Sequence, residues 1–147
     1  MSLWHHTPDL EQLNSRNEHT LMQALGIRFT EIGEDFLRGT LPVDARTHQP
    51  YGILHGGASV ALAETLGSSA AELCLDPEKH ITVGLDINAN HVRAVRSGYV
   101  TGTARPLHVG RTTHVWEIRI EDETGVLVCI ARLTMAVVPR RAIGGRS

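Results

Sequence analysis

The spacing of apolar positions changes several times along the chain, and each change predicts an element. Leu10 and Leu13 give the N-terminal stretch one apolar side. Thr7 is the expected cap there, Pro8 fits the first helical position, and Asp9 and Glu11 suit the positive end of a helix dipole. A second short helical piece from Glu18 to Leu25 stops at Gly26, so residues 1–26 form an N-terminal helical segment. From Ile27 the period shortens. The stretches "IRFTEIG" and "DFLRGTLPV" put apolar side chains at near-alternate positions around Gly33-Glu34-Asp35, which predicts a hairpin. The polar run "DARTHQPYG", marked by Pro50 and Gly52, predicts a loop.

Helical spacing returns in "ILHGGASVALAETLGSSAAELCL". Leu54, Ala58, Ala61, Leu62, Thr65, Leu66, Ser69 and Leu73 recur at that spacing, and alanine is abundant. Between Gly56 and Ala71 the only charged residue is Glu64. A helix apolar nearly all round is expected to be covered on nearly all sides, and Asp76-Pro77 ends it. Four strand patterns follow: "HITVGLDINANHV", "GYVTGTARPLHV", "RTTHVWEIRIED" and "VLVCIARLTMAVV". Turns fall at Arg96–Gly98, Val109-Gly110 and Asp122–Gly125. In "THVWEIRIE", His114, Trp116, Ile118 and Ile120 share one face, and Val115, Glu117, Arg119 and Glu121 share the other. That alternation marks a half-buried antiparallel strand. The pattern predicts an α+β fold in which an antiparallel sheet wraps round one long central helix. No repeat or linker divides the sequence, so residues 1–147 are read as a single domain, with 139–147 a loose basic tail.

Composition narrows the possibilities. A net charge of −2 gives no electrostatic reason for a nucleic acid or an anionic membrane as partner. The start "MSLWHHTPDL" lacks the cationic and apolar regions of a secretory leader. No stretch of about 18 apolar residues occurs, so no membrane-spanning helix is expected and a cytoplasmic protein is the default. Cys74 and Cys129 lie in apolar segments and read as small buried hydrophobes. The nine histidines show no convincing paired spacing, so no metal is expected, and with no phosphate loop or dinucleotide fingerprint no cofactor is expected either. With only 4% aromatic residues, the core must pack closely or gain area by oligomerising.

Glu64 is the residue that demands an explanation. A carboxylate inside an apolar helix loses solvation and needs donors. It either lies on the one wet stripe of the helix or is a catalytic group. Ser68, one turn on, is placed to orient it. Gly56-Gly57 opens the helix, where free N–H groups suit a developing oxyanion. Gly56 and Glu64 are eight residues apart, roughly 12 Å along one axis, too far for one carbonyl to touch both. Two antiparallel copies of the helix would close that gap, so the spacing points to a site across a symmetric dimer.

The segments "QPYGILHGGASVALAETLGSS", "VGLDINANHVRAVRSG" and "PLHVGRTTHVWEIRI" resemble the hotdog-fold acyl-CoA thioesterases, in the branch that carries a glutamate on the central helix. The resemblance runs from about Leu10 to Val138. It implies that Glu64 acts as nucleophile or as general base on water, and that the Gly56 N–H polarises the thioester carbonyl. It implies that Gln49 and His55 hold the thioester and the water from the subunit opposite Glu64, and that Ser68 orients the attacking group. His91 corresponds to a histidine near the acyl group. Arg93, His108, Gly110 and Arg111 are candidates for the pantetheine and nucleotide end. The partners implied are an acyl-CoA and further copies of the chain, as a dimer or a dimer of dimers. An aryl or aryl-like acyl group is expected, such as 1,4-dihydroxy-2-naphthoyl or hydroxybenzoyl. Medium-chain or carrier-protein-linked thioesters, and a non-catalytic acyl-CoA-binding module, stand as alternatives.

Overall fold

A computed structural model describes residues 2–141. The chain runs through short helices α1 (Leu10–Ser15) and α2 (Leu21–Leu25), strands β1 (Arg28–Ile32) and β2 (Leu37–Pro42), and the long helix α3 (Gly56–Leu73). Strands β3 (His80–His91), β4 (Tyr99–Val109), β5 (Thr113–Glu121) and β6 (Leu127–Pro139) follow. The six strands form one antiparallel sheet in the order β1-β2-β4-β5-β6-β3, and α3 packs against β2 through β6. This is the hotdog arrangement, a sheet curled round a helix.

Local chemistry explains the element ends. Asp9, not Thr7, caps α1, its carboxylate accepting from the Glu11 N–H at 3.0 Å. The helix therefore starts later than Pro8 suggests. Gly26 ends α2 in the left-handed region, with φ of 80°. The His55 imidazole caps α3, Nδ1 accepting from the Gly57 N–H at 2.8 Å. Before it, the loop over residues 43–55 is closed by a bridge between His48 and Leu54 and by the buried Thr47, whose hydroxyl donates to the Pro42 carbonyl at 2.7 Å.

The core lies between α3 and the concave sheet face. Leu62, Ala63, Leu66, Ala70 and Ala71 of the helix meet Leu37, Leu41, Val100, Trp116, Ile118, Ile120 and Leu133 of the sheet. Small residues let the helix settle close: a Cβ on Gly67 would lie 2.6 Å from Leu133 Cδ2, and one on Gly102 2.7 Å from Leu66 Cδ1. The opposite side of α3 departs from expectation. Val60, Ala61, Glu64, Thr65 and Ser68 are only half-buried, so one copy of the sheet covers one side of the helix and leaves the other partly open.

The two edges of the sheet differ. β1 has five residues and a register shift between Phe29 and Glu31. β3 has twelve residues, pairs only with β6 among the described residues, and shifts register between Gly84 and Asp86, which makes Leu85 a bulge. A long strand with one free edge presents a row of unpaired N–H and C=O groups. Pro139 closes β6, and beyond it the Arg140 N–H donates to the Lys79 carbonyl at 2.9 Å. Residues 142–147 of the predicted tail lie outside the described residues. No helix among the described residues is long and apolar enough to cross a membrane.

Candidate active site

Two groups of candidate residues occur at different levels of the molecule. The first gathers round the N-terminus of α3. Gln49, Ile53, Leu54, Gly56, Ser59, His91, Arg93 and Val128 line a cavity of about 420 Å³. Gln49 is fixed by a tight loop: its N–H donates to the Ile53 carbonyl and its own carbonyl accepts from Gly52, both at 2.9 Å. Its side-chain oxygen accepts from the Tyr51 N–H, which leaves the amide N–H groups without a partner among the described residues.

The capping pattern selects which backbone N–H is free. Gly57 donates to the His55 imidazole, and Ala58 and Ser59 donate to the His55 carbonyl. The Gly56 N–H enters no hydrogen bond among the described residues and stands at the positive end of an 18-residue helix. Because His55 Nδ1 accepts, its ring proton sits on Nε2, a donor at the exposed side. His91 closes over Gly56: a Cβ there would lie 2.9 Å from His91 Nε2, so only glycine permits the approach. Arg93 is pinned by Asp122, Nε to Oδ2 at 3.2 Å. The Thr124 hydroxyl, the Val126 and Thr124 N–H groups and Arg93 hold that carboxyl below the usual carboxylate range, so Asp122 keeps its charge and Arg93 its orientation.

The second group lies two turns along α3. Glu64 is half-buried, and its Oε2 lies where a Cβ on Gly84 would come within 3.2 Å. Gly84 is a neighbour of this candidate residue that the motif does not include. Its signal in the sequence is a glycine inside a strand pattern, which marks a close approach. Ser68 is on the same side of the helix, yet its hydroxyl points at Met135 Sδ at 3.8 Å and forms no hydrogen bond with Glu64. Met135 pairs with Gly84 in β3 and with His114 in β5, so these three form one row across the sheet.

His108, Gly110 and Arg111 stand at the β4–β5 hairpin, which sits beside that second group. Val109 pairs with His114, and the Thr112 carbonyl accepts from the Val137 N–H at 2.9 Å. The Gly56 cavity is at the other end of the sheet, where His91 pairs with Cys129. From Met135 to Cys129 is six residues of one strand, roughly 20 Å. Within one chain, then, Gln49, His55, Gly56, His91 and Arg93 come together. Glu64, Ser68, His108, Gly110 and Arg111 do not join them.

Neither cysteine belongs to either group. Cys129 is buried and Cys74 half-buried; burial pushes both thiols up, Cys74 to about 12. Among the described residues no three His, Cys, Asp or Glu side chains converge as a metal site would require.

Residues 51–129 match the thioesterase superfamily. The chain is 52% identical over 136 residues to the 1,4-dihydroxy-2-naphthoyl-CoA hydrolase of Escherichia coli, covering 92% of this chain and 99% of that protein. It is 50% identical over 136 residues to the proofreading thioesterase EntH of Cronobacter turicensis, covering 92% and 98%. Among solved structures it superposes on a mutant thioesterase from Pseudomonas aeruginosa with a TM-score of 0.93 at 57% identity, covering 94% of this chain and 99% of that one. A thioesterase from Haemophilus influenzae gives 0.91 at 51% identity, covering 93% and 95%.

Proposed function

The chain belongs to the thioesterase superfamily and is a thioester hydrolase, and from that premise we propose that it cleaves aryl or aryl-like acyl-CoA at a site shared by two copies of the chain. One observation carries the reading. The two half-sites each lie against β3, one at Gly84 and one at His91, and the free edge of β3 runs between them.

Antiparallel pairing of two β3 edges brings unlike half-sites together. Ile87 and Ala89 pack against the core cluster, and His91 and Gly84 face the same side, toward α3. A twofold axis perpendicular to the sheet must pair residues on the same face. An axis at Asn88 does so: Ile87 meets the partner's Ala89, and His91 meets the Gly84–Leu85 bulge. The bulge restores the facing that a regular strand would lose. In that register the partner's Glu64 carboxylate lies below Gly56. The partner's Arg93 comes to the end of the sheet that carries His108, Gly110 and Arg111. The half-covered side of α3 then faces its twin.

The chemistry follows from the assembled groups. The Gly56 N–H donates to the thioester carbonyl oxygen and stabilises the charge that develops there. Removing one such donor typically costs about 3–4 kcal/mol of barrier. The Gln49 amide and the His55 Nε2–H supply further donors beside it. The partner's Glu64 attacks the carbonyl carbon, forming an anhydride that water opens, or takes a proton from a water whose oxygen attacks. In both routes a C–O bond forms, the C–S bond breaks, and coenzyme A leaves as a thiolate that needs no strong acid. Single turnover in oxygen-18 water separates the routes, because only the anhydride leaves label in Glu64. The aryl preference is supported by the name of the Escherichia coli relative, and the exposed Tyr51 beside Gln49 supplies a flat apolar surface.

Subunit complementation tests the shared site. Glu64→Ala and Gln49→Ala proteins are expected to be nearly inactive alone, measured as thiol release from a panel of aryl and alkyl acyl-CoAs. After unfolding and refolding together, random pairing restores one intact site in half the dimers, about a quarter of wild-type sites. Mixtures that remain as inactive as their components overturn the shared site. Acyl-CoA binding by the wild-type chain without thiol release across the panel would make the protein a binding module.

A further inference from the structure

At the C-terminal end of α3 lies a second cavity, of about 370 Å³, within the range of small-ligand sites. Its floor is apolar, built from Leu73, Leu75, Pro77 and Ile81. Its rim carries His6, Arg16, Glu72, His80 and Arg140. Glu72 is eight residues beyond Glu64, roughly 12 Å further along the helix, so the cavity is separate from the site described above.

The rim charges do not balance. Arg16 already holds Glu72, Nη2 to Oε2 at 3.2 Å. Arg140 donates to the Pro77 carbonyl at 3.1 Å and forms no ion pair among the described residues. A helix C-terminus ordinarily repels an anion, but here its carbonyls are occupied. Cys74 donates to Ala71, Leu75 to Glu72, and the His5 N–H to Leu73 at 2.8 Å. What remains is one guanidinium without an ion pair among the described residues, two imidazoles on the same rim, and an apolar floor.

We infer that this cavity binds a small amphipathic carboxylate, with its aryl or alkyl body on the Leu73–Ile81 floor and its carboxylate on Arg140. A guanidinium presents paired N–H groups that match a carboxylate. A single free positive charge suits a monoanion better than a phosphate dianion. The β3 strand contact proposed above engages Leu85 to His91, and His80 and Ile81 lie outside that stretch. The carboxylic acids that thioester hydrolysis releases belong to this ligand class, so the cavity is suited to sensing or retaining product.

Octanoate is the probe, titrated into the full-length chain and followed by NMR at the Ile81 methyl and the His80 ring. Saturable shifts at both are expected, in wild type and equally in Glu64→Ala, which separates this site from the hydrolytic one. Arg140→Ala should weaken octanoate at least about tenfold, the scale of one charged hydrogen bond, with Arg140→Lys in between. Octanol, which lacks the charge, and inorganic phosphate, which lacks the body, should each bind at least about tenfold more weakly. Equal affinity in Arg140→Ala and wild type overturns the assignment. So do shifts centred on His91, tighter binding of adenosine 3′,5′-bisphosphate at Ile81, or no saturation by about 10 mM octanoate.

Discussion

A methyl group on Gly84 would stand 3.2 Å from Glu64 Oε2, closer than most real side-chain contacts. The carboxylate ends a flexible side chain, so the backbone need not move, but the carboxylate must. With Glu64 in the reacting role proposed above, Gly84→Ala is expected to lower kcat by about tenfold or more, since displacement of a reacting group by a fraction of an ångström has effects of that order. Its thermal midpoint should stay near that of wild type. A fall in stability with unchanged kcat would place the role of Gly84 in the strand instead. His114 raises a different question. It is fully buried, its Nδ1 accepts from the Trp116 ring N–H at 3.5 Å, and its Nε2 has no partner among the described residues. Burial, and then the nearby His108 charge, push its pKa below the ordinary value. The native state therefore favours the neutral ring, whereas the unfolded chain takes up a proton near pH 6.5. Stability from this residue is intact above about pH 6.5 and declines as pH falls toward the native value, by up to about 1.4 kcal/mol per pH unit. Denaturant unfolding at pH 7.5 and pH 5.5 should show a smaller acid loss in His114→Gln than in wild type.

Among the elements, α3 was legible in its period and in its end signals, while its surroundings were not. Alanine-rich helical spacing located Gly56–Leu73, and the alternation in "THVWEIRIE" gave the buried face of β5 residue by residue. The cap of α1 went to Asp9 instead of Thr7, because two capping residue types stood on either side of Pro8 and sequence does not rank them. The helix was expected to be covered all round, yet a run of small apolar residues reads the same whether a sheet or a second copy covers it. The grouping of Gln49 with Gly56 followed from the motif. The approach of Gly84 to Glu64 depends on the β3 bulge, which no periodicity announces. Close approach also sets the packing of α3. Ala at Gly67 would gain about 1 kcal/mol of helix propensity. Its Cβ would, however, meet Leu133 Cδ2 at 2.6 Å, and Leu133 is fully buried with nowhere to retreat. Overpacking costs about 1–3 kcal/mol and should win. Gly67→Ala is expected to lower the unfolding midpoint, and a raised midpoint would show that the helix can move off the sheet.

For the whole molecule, the unequal edges of the sheet bear on the self-association proposed above. β1 is short and bulged, which discourages pairing; β3 is twelve residues long and free, with Leu85 62% exposed at its bulge. A free edge of that length invites another strand, and in the dimer proposed above a second β3 takes that place and completes the half-sites at Gly56 and Glu64. The register argued from those half-sites puts Asn88 on the twofold axis, facing its own copy. Cα atoms directly opposite in an antiparallel pair are about 4.5–5.5 Å apart, within the reach of a disulfide. Asn88→Cys should therefore oxidise to a covalent dimer that keeps its thioesterase activity. Wild type, whose Cys74 and Cys129 are partly or wholly buried, should not. Shifting the cysteine tests register separately from dimerisation. Asn90→Cys lies on the same outward face, but its opposite number would be the partner's Asp86, so it should cross-link poorly with itself. If Asn90→Cys links readily and Asn88→Cys does not, the strands pair in another register, the partner's Glu64 no longer lies below Gly56, and the shared site must be rebuilt.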